Sequence, residues 1–237
     1  RLDVRIGDTV IVEKAGDIIP KVIRVLEKMR TGSEKKVNPP KTCPICHSPV
    51  ERKENLDNPS TSLRAGKSVA LYCSNLKCYA QELERLVHFV SKKAFDIDGL
   101  GEKIVEHLVE EGLIKNPADI FTLKQGDLEP LERFAEKSAG NLIETISKAK
   151  HVTLPRFIFS LGIQHVGEET AIRLADNFKK LEKIMSASVE DLEKVEDIGS
   201  RVSQSIVDYF KDKANQKLVS ELLKNGVVIK YIPSKKT

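Results

Sequence analysis

No tryptophan occurs in the 237 residues, and aromatic residues as a whole make up only 5%. A protein that stacks successive unpaired bases on aromatic rings usually carries more of them, so that mode of single-strand recognition is disfavoured. No apolar run approaches the roughly 18 residues that a membrane-spanning helix requires, and no membrane partner is expected. The N-terminus lacks the charged-then-apolar pattern of a secretory leader, which makes an intracellular, cytoplasmic setting the expectation. Neither sign of charge dominates: 39 Lys and Arg against 35 Asp and Glu leave a net charge of +4. So mild a balance permits a nucleic-acid partner without demanding one, because many basic proteins simply carry solvated lysines. The sequence opens on Arg1 rather than on methionine, and we expect a piece of a longer chain, acting as a monomer.

What the sequence does contain is a repeat. Aligned on glycine, DIDGLGEKIVEHLV from Asp96, the stretch around Gly167 and VEDIGSRVSQSIV from Val195 share one pattern. Gly101, Gly167 and Gly199 hold the register position, with Ile97, Ile163 and Val195 four residues earlier and Leu100, Val166 and Ile198 one residue earlier. Leu108, Leu174 and Ile206 follow seven residues later. A fourth copy, LERFAEKSAGNLI, keeps Leu131, Phe134 and Leu142 but puts Ala135 at the register position. The anchors Gly101, Ala135, Gly167 and Gly199 are 34, 32 and 32 residues apart, the period of stacked supersecondary units. Each unit reads as helix, tight hairpin, helix; the first helix of the third unit is LPRFIFSLG, with Leu154, Phe157, Ile158 and Leu161 on one face.

Two readings of the hairpins stay open at this level. They can serve packing alone, which is the natural reading of the Ala135 copy. Alternatively, glycine lets a helix N-terminus come close to an external group without a Cβ in the way. Such a terminus offers unpaired N–H groups and partial positive charge, both suited to phosphate. Lys103, Lys137 and Arg201 fall at the hairpin or in the first helical turn, where the helix dipole disfavours a cation and a bound anion would offset the cost.

All four cysteines lie in one region, as C-x₂-C (Cys43, Cys46), 26 intervening residues, and C-x₄-C (Cys73, Cys78). Two short-spaced pairs are what a tetrahedral structural zinc site requires, since each tight turn supplies two thiolates. Disulfides are the alternative, disfavoured where the compartment keeps thiols reduced. His47 adjoins Cys46 but is read as a surface residue, because four thiolates complete the shell. Between the pairs, TSLRAGKS superficially resembles a phosphate-binding loop, but Thr61 replaces its first glycine and no buried strand precedes it. At the N-terminus, Val10–Val12 and Lys21–Val25 read as strands, each preceded by a Gly-Asp turn. Asn38 to Lys41 (NPPK) forms a stiff link into the cysteine segment.

The order of these parts carries a resemblance. Arg5-Ile6-Gly7-Asp8-Thr9-Val10, then Ala15-Gly16-Asp17-Ile18-Ile19-Pro20, then Pro39 to Cys46, a second cysteine pair and four hairpin units is similar to the C-terminal half of bacterial NAD-dependent DNA ligases. LGIQHVGEETA from Leu161 is similar to that family's third helix-hairpin-helix motif. The resemblance covers essentially the whole chain. It implies a multidomain, mainly α protein: the C-terminal part of an OB-fold (residues 1–38), a small Cys₄ zinc finger (39–82) and an all-α domain of four tandem helix-hairpin-helix units (83–237). It implies a role in sealing nicks in duplex DNA during replication and repair, with Gly99, Gly101, Lys103, Lys137, His165, Gly167, Thr170, Gly199 and Arg201 as candidate contacts to the DNA backbone. Arg5 and Lys21 are candidates on the OB part, against the reading that they are solvated surface charges.

Two departures from the family pattern stand out. The loop between the cysteine pairs is longer than usual. The Lys-x-Asp-Gly nucleophile motif is absent, since KAFDIDG from Lys93 has the wrong spacing, so no catalytic residue is assigned. The resemblance therefore implies that NAD and Mg²⁺ are used by an adenylation half outside these residues, which would be a partner of this chain. The competing class is a stand-alone helix-hairpin-helix and zinc DNA-binding protein or nuclease-accessory module, which accounts for the hairpins and cysteines but not for the N-terminal segment in this order.

Overall fold

The computed structural model describes residues 2–15, 19–55, 68–75, 77–132 and 134–233. The chain divides into two compact units, Arg1–Asn75 and Leu76–Thr237.

The first unit is built from short strands: β1 (Arg5–Ile6), β2 (Val10–Ala15), β3 (Ile19–Val25), β4 (Lys35–Lys36), β5 (Val50–Asn55) and β6 (Ser68–Cys73). The two β-branched runs expected as strands lie within β2 and β3, which pair antiparallel from Val10↔Val25 to Ala15↔Ile19 with a register shift at Ile11/Val12. The Gly16-Asp17 turn lies outside the described residues. β1 pairs antiparallel with β4, Arg5 opposite Lys36. Apolar burial does little here: Ile6 is 66% exposed, Val12 52% and Val37 64%. A carboxylate supplies the order instead. Asp8 accepts from Arg30 Nε at 2.7 Å and Arg30 Nη2 at 2.9 Å, and from the backbone N–H of Arg5 at 2.7 Å. The Asp8 carboxylate is fully enclosed, and the Arg30 guanidinium beside it holds its pKa down to about 2. β5 and β6 pair antiparallel, with Val50 opposite Cys73, so this ladder carries Cys73 back to the first cysteine pair. Residues 56–67, which include most of TSLRAGKS and its loop, lie outside the described residues.

The second unit is helical: α1 (Tyr79–Val90), α2 (Glu102–Glu110), α3 (Gln125–Leu128), α4 (Glu136–Ala149), then β7 (His151–Thr153), α5 (Leu154–Ser160), α6 (Glu168–Phe178), α7 (Leu181–Met185), α8 (Val189–Glu193), α9 (Ser200–Lys211), α10 (Lys213–Lys224) and β8 (Val228–Lys230). Together with the strands of the first unit and the four cysteines, this is the mainly α, multipart architecture expected from the sequence.

The repeat is the core. Ile97, Leu100 and Leu108, Ile163, Val166 and Leu174, and Val195, Ile198 and Ile206 are all buried, and the three residues seven beyond each glycine have no exposed surface. In the Ala135 copy Leu142 is buried while Leu131 and Phe134 are half-buried. Pro155 sits in the first turn of α5, where its missing N–H costs nothing and its fixed φ favours the helix. Leu154, Phe157 and Ile158 then bury the stripe that their spacing predicts. β7 and β8 pair in parallel, Val152 opposite Ile229, and tie the end of the second unit to its middle. Among the described residues no helix is long and apolar enough to cross a membrane.

Candidate nucleic-acid interface and metal centre

The four copies share one turn hydrogen bond. The amide of the last apolar turn residue donates to the carbonyl of the first: Leu100 to Ile97 at 3.1 Å, Phe134 to Leu131 at 3.2 Å, Val166 to Ile163 at 3.0 Å and Ile198 to Val195 at 3.2 Å. The third turn residue is left-handed in the three glycine copies, with φ of +83° at Gly99, +67° at His165 and +60° at Asp197. A four-residue turn of this kind needs positive φ at its third position, a conformation that glycine adopts freely and that Asp and His tolerate better than most residues. Gly99 and His165, both candidate contacts, thus serve the turn itself.

The register glycines differ from this. Gly101, Gly167 and Gly199 have φ of −74°, −86° and −90°, open to any residue, and each is the N-cap of the helix that follows. Backbone conformation therefore does not require glycine there. Neither does packing, because a Cβ built at any of the three meets nothing within 4 Å. Space is thus kept open outside the chain, at the start of three helices.

The amides at these positions are open as well. Among the described residues, those of Gly101, Gly167 and Gly199 donate to no acceptor. At the Ala135 copy the amide of Ala135 donates to Ser138 Oγ at 2.8 Å, and that hydroxyl returns a 2.8 Å bond to the Ala135 carbonyl. The N-cap amide of this terminus is satisfied within the chain. The Ala135 copy also carries a Cβ, so both features that leave the other three termini open are missing from it.

Around these ends, Lys103, Lys137 and Arg201 are exposed at the second residue of α2, α4 and α9. Thr170 occupies the third position of α6 and is half-buried, as is His165. The hairpins are linked to one another by side chains that the repeat pattern does not single out. Lys93 Nζ lies 2.8 Å from Glu168 Oε2, at the first residue of α6. Arg156 on α5 donates from Nε to the Ala94 carbonyl at 2.7 Å and lies 3.4 Å from Asp96 Oδ2. Arg173 on α6 reaches Glu196 Oε2 at 2.8 Å and Asp197 Oδ2 at 2.7 Å. Thr145 Oγ1 on α4 donates to the Asp98 carbonyl at 3.0 Å. In the first unit, Arg5 pairs with Asp3 at 2.8 Å, and Lys21 stands exposed on β3 opposite Glu13.

The cysteines assemble as their spacing predicts. The sulfurs of Cys43, Cys46, Cys73 and Cys78 all lie within 4.8 Å of one another, and Cys46 and Cys73 are 3.3 Å apart. Four thiolates about 2.3 Å from one zinc ion would stand about 3.8 Å apart, so the set needs only small adjustment to hold the metal. Backbone N–H groups of Cys46 and Ile45 point at Cys43 and lower its pKa. Burial, reinforced by the neighbouring thiols, pushes Cys73 up to about 12, so without a cation this group resists ionising. A divalent ion held by these four cysteines would supply the missing charge. His47 has φ of +58° and its amide donates to the Cys43 carbonyl at 2.9 Å, which makes it the turn residue of the knuckle, with an exposed side chain. Four sulfur ligands fit a closed structural site with no open coordination position.

Comparison with known proteins agrees with this sequence of parts. The NAD-dependent DNA ligase OB-fold domain matches residues 1–34, and the NAD-dependent DNA ligase C4 zinc finger domain matches residues 42–80. A SAM-like helix-hairpin-helix tandem matches residues 92–148, and a helix-hairpin-helix motif matches residues 156–219. A curated protein of Desulforapulum autotrophicum, a DNA ligase, is 43% identical over 227 residues, which is 96% of this chain and 31% of that relative. The chain thus spans about a third of the length of the relative it matches.

Proposed function

We propose that this chain, whose residues match the OB-fold and C4 zinc finger domains of NAD-dependent DNA ligases and two helix-hairpin-helix families, is the part of a bacterial, cytoplasmic ligase that grips nicked duplex DNA. One observation carries the reading: among the described residues, three helix N-termini have N-cap amides without acceptors, and their N-cap glycines face open space that neither backbone nor packing requires. A phosphate oxygen fits such a terminus, because several N–H groups converge there and the helix dipole favours negative charge.

Gly101, Gly167 and Gly199 admit the backbone of the nucleic acid; Lys103 and Arg201 stand beside two of these ends to add charge. Thr170 supplies a hydroxyl at the third. Gly99 and His165 shape the turns that aim the termini. Lys137 belongs to the self-capped copy and contributes charge alone. Phosphate contacts of this type position a protein on DNA without reading bases, which suits an activity that must work at any nick. The zinc site orders the cysteine segment and takes no part in chemistry. Adenylation by NAD with Mg²⁺ belongs to a portion bearing the Lys-x-Asp-Gly motif, which these 237 residues do not contain.

The test combines the chain with that portion. The chain alone, supplied with NAD, Mg²⁺ and a nicked duplex, is expected to seal nothing, and a separately expressed adenylation portion is expected to restore some sealing. An AMP adduct on the chain itself would contradict this division of labour.

A further inference from the structure

The fourth hairpin has a charge problem. Its tip, Val195-Glu196-Asp197-Ile198, places two carboxylates immediately before the Gly199 amide that the DNA reading assigns to phosphate. Their side chains are 84% and 71% exposed, so they share the solvent into which the terminus opens. Left alone, they would repel the anion that the terminus attracts.

Arg173 meets both. Its guanidinium places Nη1 2.8 Å from Glu196 Oε2 and Nη2 2.7 Å from Asp197 Oδ2, one nitrogen to each acid. Asp197 holds the left-handed turn position, with φ of +60°, so the same contact also pins the residue on which the hairpin's shape depends. Arg173 comes from α6, the helix that starts at Gly167, and thereby joins the third hairpin to the fourth. Arg156 with Asp96 and Lys93 with Glu168 link the first and third hairpins in a similar way.

Resting on the DNA reading above, we propose that Arg173 is a positioning residue for DNA binding: it neutralises Glu196 and Asp197 and holds their turn, so that the Gly199 terminus can accept a phosphate. It acts through the two acids and not by touching DNA.

The test is a double-mutant cycle on the 237-residue chain, read as affinity for a nicked duplex by fluorescence anisotropy. Arg173→Ala is expected to weaken binding on the order of five- to tenfold, because two uncompensated carboxylates then face the phosphates. In a chain carrying Glu196→Gln and Asp197→Asn, the same Arg173→Ala change is expected to cost less than about twofold. Arg173→Lys, which keeps the charge but not the fork that spans both acids, is expected to fall between wild type and alanine. An equal loss in both backgrounds would overturn the proposal, since it would mean that Arg173 holds phosphate directly or merely supports the fold. No loss in the wild-type background would overturn it as well. A wild-type chain that binds no duplex removes the DNA reading itself, and is recognised before any variant is made.

Discussion

The two units of this chain reach order by different means. Among the described residues up to Asn75, Cys43 is the one apolar side chain that is buried; every other buried apolar side chain belongs to the helical unit. The first unit relies on a clamped carboxylate, two-stranded ladders and its cysteines Cys43, Cys46 and Cys73. The second relies on one apolar pattern repeated four times. A repeat whose neighbours bury each other's faces can leave its hairpin tips free of structural duty. That is why three helix starts can stay uncapped while the unit remains well packed. A segment with almost no core cannot spare its polar groups in this way.

Removing the metal should produce the largest effect and spare the second unit beyond its first residues, where Cys78 is the fourth ligand. A structural zinc site contributes on the order of 10–16 kcal/mol to folding. A chelator is therefore expected to unfold the segment around Cys43, Cys46, Cys73 and Cys78 while the helical circular dichroism of the second unit persists. Hydrogen exchange read by mass spectrometry checks this, with native mass spectrometry counting one zinc per chain. Equal loss of protection in α5 and α6 would erase the distinction between the units.

A smaller effect is expected from the core. Leu174 has no exposed surface, and Leu174→Ala should cost about 2–5 kcal/mol of stability in chemical denaturation. Val12 on β2 is 52% exposed, and Val12→Ala should change stability by no more than about 0.5 kcal/mol. Comparable costs at the two sites would mean that the first unit has an apolar core after all.

Acid should loosen the first unit, and this is the smallest effect. Asp8 has a folded pKa of about 2, below the roughly 3.9 of a free side chain. A depressed carboxylate pKa contributes stability that is fully present above the unfolded value and is lost as pH falls through the folded one. The β1–β4 pairing should therefore weaken between about pH 4 and about pH 2. Asp8→Asn should remove this pH dependence, which amide exchange around Arg5 and Lys36 would register.

Much of the helical unit was legible because a period of 32 to 34 residues puts Leu108, Leu174 and Ile206 at equivalent offsets, and burial follows offset. The cysteine set was legible for a similar reason, since ligand spacing is local to each knuckle. The turn conformation was only partly legible. Glycine marks the left-handed position at Gly99, but His165 and Asp197 occupy it elsewhere, so composition conceals what the backbone shares. The links between hairpins were not legible at all. Arg173 meets acids more than twenty residues away, and no periodicity announces a pair that crosses between units. β1 with β4 and β7 with β8 escaped as well, because two or three residues carry no alternation to read.

The central claim is that the open glycine termini, and not the self-capped one, receive phosphate. Its most direct test is equilibrium binding of a nicked duplex across a salt series, comparing wild type with Gly167→Val and Ala135→Val. A Cβ at Gly167 meets nothing within 4 Å, so this variant should fold normally. It should lose affinity on the order of tenfold, the size of a lost hydrogen bond to a charged group. Because a backbone amide neutralises no phosphate, its salt slope should match that of wild type. Ala135→Val should bind as wild type does. Equal affinity for Gly167→Val and wild type, with both folded, would contradict the account and return these hairpins to packing alone.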